Sequence, residues 1–146
     1  MLEQLIAKSK QAVTYEGPTG RFHAARLGSQ LACMLVAGSL DEEAIDPFDA
    51  CLEQILEAGV ELFVDAAELE QFTPKLRDAV TKAFWRRRDR FFKIHVLYTQ
   101  QALGVALLTG RMVFGKQLRS YNQREPWLDH LDSARIRERF AGMDLA

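Results

Sequence analysis

The chain has 146 residues, 48% of them hydrophobic and 27% charged, with a formal net charge of −1 at pH 7. That size suits a single packed domain, and the balance excludes a disordered tail, a disulfide scaffold and a general polyanion binder, whose phosphate contacts draw on excess positive charge. The longest apolar runs, Leu31 to Gly38 and Ala102 to Leu108, fall well short of the roughly 20 residues that span a bilayer, and the first residues lack the apolar stretch of an export signal. A cytoplasmic protein without a transmembrane segment is expected.

In chain order, Arg21 to Leu27 and Gln30 to Ala37 are two extended runs separated by Gly28-Ser29, which predicts an antiparallel hairpin. Cys33 in the second run and Cys51 further on both lie on apolar segments and read as buried free thiols. From Asp46-Pro47, the apolar residues Phe48, Leu52, Ile55 and Leu56 share one helical face. Asp46 is a candidate cap with Pro47 at the first helical position, Asp41 alternatively starts an earlier turn that ends before the proline, and Gly59 is expected to end the helix. Val60 to Asp65 predicts a buried strand ending in a carboxylate. Thr73-Pro74 then punctuates a helix running to about Arg90, with Leu76, Val80, Ala83, Phe84 and Arg87 or Phe91 inward and Lys75, Lys82, Arg86 and Arg88 outward. Phe92 to Tyr98 is a further strand. Thr99 is placed to cap an apolar helix over Gln101 to Val113, which Gly115 stops. Leu118 to Tyr121 predicts an edge strand, and Asn122 with Glu125 resembles a capping box before closing helices that carry Trp127, Leu128 and Leu131. The expected class is α/β, a mixed four- to five-stranded sheet with an N-terminal antiparallel hairpin and helices packed on it.

This order resembles the STAS domain, in its SpoIIAA-like branch, over about residues 14 to 131 of one domain spanning 1 to 146. The resemblance rests on Gly38 closing the second strand, on Phe63-Val64-Asp65, on Phe72-Thr73-Pro74-Lys75-Leu76-Arg77, and on the ending Arg119-Ser-Tyr121 followed by Trp127-Leu128. In anti-sigma-factor antagonists of this kind an Asp-Ser pair carries a phosphorylated serine. That pair falls on Thr73 and Pro74 here, so the resemblance implies a domain without the usual phosphoacceptor. Thr73 reads first as a helix cap.

Other candidate chemistry is sparse. Asp65 lacks the additional acidic residues and lysine of a receiver-like metal or phosphate site, and a structural carboxylate accepting loop amides is preferred. His23, His95 and His130 have no metal-ligand spacing, and His95, inside an apolar strand, reads as a buried hydrogen-bonded imidazole. No nucleophile elbow, P-loop or dinucleotide fingerprint occurs. No cofactor and no metal are expected.

Charge is segregated: Asp41 to Gln71 holds eleven acidic residues and no Lys or Arg, whereas Thr73 to Lys93 holds eight basic against two acidic. Two neighbouring helices answering each other across a groove explain this better than nucleic acid does. The Gln101 to Phe114 helix, with Leu103, Leu107, Met112 and Phe114, has more apolar surface than one sheet face can cover, so it predicts a homodimer contact or a ligand groove. The expected function is a non-enzymatic regulatory or interaction domain that binds a protein partner or small ligand through Asp65, Thr73, Lys75 and Arg77. Two alternatives stay open: a lipid or amphiphile carrier with an apolar cleft beside the 101–114 helix, and a small enzyme using Asp65 with a histidine.

Overall fold

The computed structural model describes residues 2–142. Six strands form one sheet in sequence order: β1 (Ala12–Glu16), β2 (Gly20–Arg26), β3 (Leu31–Leu40), β4 (Val60–Phe72), β5 (Phe91–Tyr98) and β6 (Leu118–Tyr121). β1 and β2 pair antiparallel, as do β2 and β3, and the pairings from β3 to β6 are parallel. Helices α2 (Ile45–Ile55), α3 (Pro74–Arg86) and α4 (Gln101–Phe114) pack on one face, while α1 (Leu2–Lys8) and α5 (Arg124–Gly142) pack on the other. The mixed α/β architecture is as expected. The sheet is wider than the predicted four to five strands because β1 joins as an outer strand. Its Ala-Val-Thr-Tyr-Glu pattern alternates half-buried Val13 and Tyr15 with exposed residues, a strand signal too short to stand out in the chain.

Side-chain alternation divides the interior into two layers. Met34 and Val36 of β3, Leu62 and Val64 of β4, and Ile94 and Val96 of β5 face α2, α3 and α4. Their neighbours Cys33, Leu35, Phe63 and Leu97 face α5 and α1, where they meet Trp127, Leu131, Leu2 and Ile6. The core therefore extends beyond the 14–131 boundary at both ends.

β4 departs most from expectation. It does not end at Asp65 but continues to Phe72, since the second half of β3 supplies a hydrogen-bonding partner as far as Leu40↔Phe72. Between Leu35↔Asp65 and Ala37↔Glu68 it advances three residues against two. Such a bulge moves the following side chains to the opposite face, so Ala66 and Leu69 lie on the same side of the sheet. Gly38, expected to close β3, lies inside it with φ +77°. There a Cβ would come within 2.4 Å of the Thr19 carbonyl oxygen.

The helix boundaries follow local chemistry. Asp41 starts a short 3-10 turn by accepting from the Glu43 amide at 3.0 Å, and this turn, which ends at Ala44, runs directly into α2, so Asp46 and Pro47 lie inside the helix's first turn and not at its cap and first position. α2 stops at Ile55, four positions before Gly59, which makes the turn into β4 with φ +83°. Thr73 caps α3 through the Leu76 amide, 3.2 Å away, with Pro74 next. Gln100, not Thr99, caps α4, because the Thr99 hydroxyl donates to the Ala67 carbonyl at 2.6 Å. One long helix, α5, replaces the expected closing helices and begins at Arg124.

Acidic α2 and basic α3 lie side by side as the charge pattern predicted. Asp49 pairs with Arg86 and Arg87 at 2.6 and 2.9 Å, and Glu53 with Arg87 and Arg90 at 3.1 and 2.8 Å. Arg87 can therefore be buried on the inward face. Hydrogen bonding to Arg87 holds the Asp49 carboxyl below its ordinary range.

Candidate functional site: an apolar cleft under two helices

A cleft of about 1000 Å³ lies between the sheet and the helices α3 and α4. Its floor is built by Val36, Val64, Leu69 and Val96, and α4 contributes Leu103, Leu107 and Phe114. The bulge in β4 is what adds Leu69 to this floor. Val36, Leu40, Val64, Leu69, Val96 and Leu107 each keep 7–9% of their surface open, although they belong to the core. Across the sheet, Cys33, Phe63, Trp127 and Leu131 keep none. A row of aromatic contacts, Phe22 to Phe48 to Phe84 to Phe91 to Phe114, stiffens one wall with ring centroids 5.5–6.3 Å apart. The exposed lining residues Gln71, Arg77, Asp78 and Lys82 mark a polar mouth.

α4 lies close to the sheet because two of its residues have no side chain. A Cβ at Gly104 would approach the Tyr98 ring within 2.7 Å, and one at Gly110 the Leu118 side chain within 2.9 Å. Gln100 fixes the start of the helix from both sides, accepting from the Leu103 amide at 3.2 Å and donating to the Glu70 carbonyl. Of the four α4 residues predicted to make a contact, Leu103, Leu107 and Phe114 line the cleft. Met112 points away and is 88% exposed, on the same outer side as the exposed Leu108.

The four residues predicted to bind a partner do not form one surface. Asp65 is buried rather than displayed on a loop, accepting from the Ala67 amide at 3.0 Å and pairing with Arg124 at 2.9 Å. The carboxylate is engaged within the fold, but its amide partner lies inside β4 and not in a loop as expected. The Thr73 hydroxyl is engaged as a cap, and Lys75 and Arg77 are exposed, Arg77 beside Asp78 at 3.3 Å.

His95 is buried and doubly hydrogen-bonded, as read from its strand. Its Nε2 meets Glu61 at 2.9 Å, its Nδ1 meets the Tyr121 hydroxyl at 2.8 Å, and its ring stacks on Phe63 with centroids 4.3 Å apart. Burial holds the imidazole below its ordinary value, and the His95 hydrogen bond holds the Glu61 carboxyl below its own. A neutral ring donating from Nε2 to the carboxylate and accepting from Tyr121 at Nδ1 satisfies all three groups. Arg137 of α5 pairs with the other Glu61 oxygen at 2.9 Å, and the Trp127 indole donates to the His95 carbonyl at 3.1 Å. Sequence reasoning missed these partners, although a glutamate between Val60 and Leu62 in a buried strand was a signal that a counter-group lay nearby.

Asp65 thus pairs with an arginine while His95 pairs with Glu61, and the Asp65-histidine couple required by the enzyme alternative does not form. Both cysteines are buried, with thiols pushed up to about 12 by burial. Among the described residues, no group of three His, Cys, Asp or Glu is placed to hold a metal, and no helix is long and apolar enough to cross a membrane.

No family model matches the chain, and no curated protein matches it. Among solved structures it is similar to an uncharacterized protein of the DUF3478 family with a SpoIIAA-like fold from Shewanella loihica. The identity is 11% and the TM-score 0.53, over 83% of this chain and 94% of that one. The likeness establishes the SpoIIAA-like fold.

Proposed function

With the SpoIIAA-like fold as premise, we propose that the protein is a non-catalytic binding domain whose ligand is an apolar or amphiphilic small molecule held between the sheet and α3 and α4. The cleft carries this reading: it is large, lined by aliphatic and aromatic side chains, and bordered by a few polar groups suited to an amphiphile's head. Small-molecule sites commonly measure roughly 300–1000 Å³ and share that composition.

The energetics require a sizeable guest. At about 0.8 kcal/mol per buried methylene, a fully covered chain of roughly fourteen carbons contributes ~11 kcal/mol. After the smallest association cost, about 4 kcal/mol, at most about 7 kcal/mol remains, which sets the tightest Kd on the order of 10 µM.

Titration with the neutral dye Nile red, followed by displacement with tetradecanol, tests the proposal. One saturable site is expected. Filling the cleft by Val64→Phe with Ala106→Phe should weaken dye binding by about tenfold or more, equivalent to ~1.4 kcal/mol, while Met112→Ser leaves it unchanged. Loss of binding in Met112→Ser with none in the filled variant would move the site to the outer face of α4 and defeat the cleft.

A further inference from the structure

A second concavity, of about 590 Å³, lies on the opposite side of the sheet, framed by the end of α1, the β2–β3 turn and the last turns of α5. Five cations line it, Lys8, Lys10, Arg26, Arg135 and Arg139, against one carboxylate, Glu138. This is a pronounced local excess in a chain whose net charge is −1. Among the described residues, Lys8, Lys10, Arg135 and Arg139 have no carboxylate within ion-pair distance. Like charges facing one depression repel each other, and an anion seated between them relieves that repulsion.

The turn beside them already holds an oxyanion. The Glu138 carboxylate accepts from the Ser29 amide, from the Ser29 hydroxyl at 2.8 Å and from the Gln30 amide at 3.3 Å. Gly28 leaves the room, since a side chain there would collide with that carboxylate. Successive amides aimed at one oxyanion make an anion nest. Arg26 stiffens the turn: its side chain is only 8% exposed, donates to the Gly28 and Ser29 carbonyls, and pairs with Glu57 at 3.3 Å.

We propose that this concavity is a binding site for a small, multiply charged anion of the phosphate-ester or pyrophosphate class, held by Lys8, Lys10, Arg135 and Arg139, with Glu138 as the internal competitor. Guanidinium groups match tetrahedral oxyanions bidentately, and lysines add point charge. Among the described residues no aromatic side chain lines the site, so the charged group is recognised and not a stacked base. The site shares no lining residue with the apolar cleft and stands independently of it.

The test is calorimetric titration of the full chain with inorganic pyrophosphate at low ionic strength. One saturable site is expected. Arg135→Gln with Arg139→Gln should weaken it by about tenfold. Glu138→Gln, which removes a negative charge and keeps an acceptor, should tighten it by roughly threefold. Should the arginine double variant fail to fold, Lys8→Gln with Lys10→Gln provides the same reading. Arg88→Gln with Lys116→Gln, outside the site, should leave affinity unchanged. A free anion and a phosphorylated lipid headgroup share this chemistry. Cosedimentation with phosphatidylcholine vesicles carrying phosphatidylinositol phosphate, competed off by pyrophosphate, assigns the headgroup, and pyrophosphate binding without cosedimentation assigns a free anion. Absence of a saturable site, an equal loss from the Arg88/Lys116 variant, or no gain from Glu138→Gln would overturn the proposal.

Discussion

The two faces of the sheet are built from alternate residues of the same strands, yet the packing beneath α5 is sealed around Trp127 while that beneath α3 and α4 is open. On the α5 side, Phe63, Cys33, Trp127 and Leu131 are wholly buried, and four polar ties fasten the helix: Arg124 to Asp65, Trp127 to the His95 carbonyl, Arg137 to Glu61, and Glu138 to the β2–β3 turn. On the α3 and α4 side, most lining atoms are apolar and the polar ties lie at the rims, where Asp49 and Glu53 hold α3 to α2 and Gln100 holds the start of α4. Directional bonds fix a helix in one place, whereas apolar contact alone tolerates a guest between the layers. The sealed layer supports the fold so that the open layer can remain open.

The largest expected effect lies on the sealed face. Trp127→Ala removes a fully buried ring and its hydrogen bond, and should cost ~3–5 kcal/mol in urea unfolding. Overpacking sharpens the contrast between layers. Cys33→Leu on the sealed side should cost about 1–3 kcal/mol, whereas Val36→Leu, three residues along and facing the cleft, should cost under ~1 kcal/mol. Equal costs would mean that the two layers are packed alike.

Acid titration probes the polar ties. Burial holds His95 below its ordinary 6.5, so the unfolded chain takes up that proton first and stability falls as pH drops from 6.5 toward the lowered folded value. Glu61, held below its ordinary 4.5 by the His95 hydrogen bond, adds a second loss as pH falls below 4.5. His95→Gln should remove the first limb and shrink the second, whose main cause is the His95 hydrogen bond, in urea midpoints measured across this range. A small effect is also expected at Thr73→Ala, about 1 kcal/mol of lost capping in thermal unfolding. It should not alter Nile red affinity, because Thr73 does not line the cleft.

Much of this division was legible in the chain. Thr73-Pro74 announced its helix through cap chemistry, and the acidic and basic stretches announced the α2–α3 pairing, because both signals are local or depend only on which helices are neighbours. His95 announced its burial through the apolar residues on either side. What could not be read depends on register. The β4 bulge that turns Leu69 toward the cleft is set by how β3 and β4 align, and the extension past Asp65 required knowing that β3 ran on beside it. The alternating Glu68-Leu69-Glu70 was the overlooked sign of continued strand. Leu103, Leu107 and Met112 could be grouped as apolar residues of one helix, but which of them faced inward followed only once α4 lay across β5 and β6.

Methyl-resolved NMR of the protein with tetradecanol tests the binding claim most directly. Intermolecular NOEs from the alkyl chain to the methyls of Val36, Val64, Leu69 and Leu107, with Leu35, Leu97 and Leu131 silent, are the predicted result. NOEs confined to Leu108 and Met112 on the outer face of α4, or none at saturating alcohol, would contradict it.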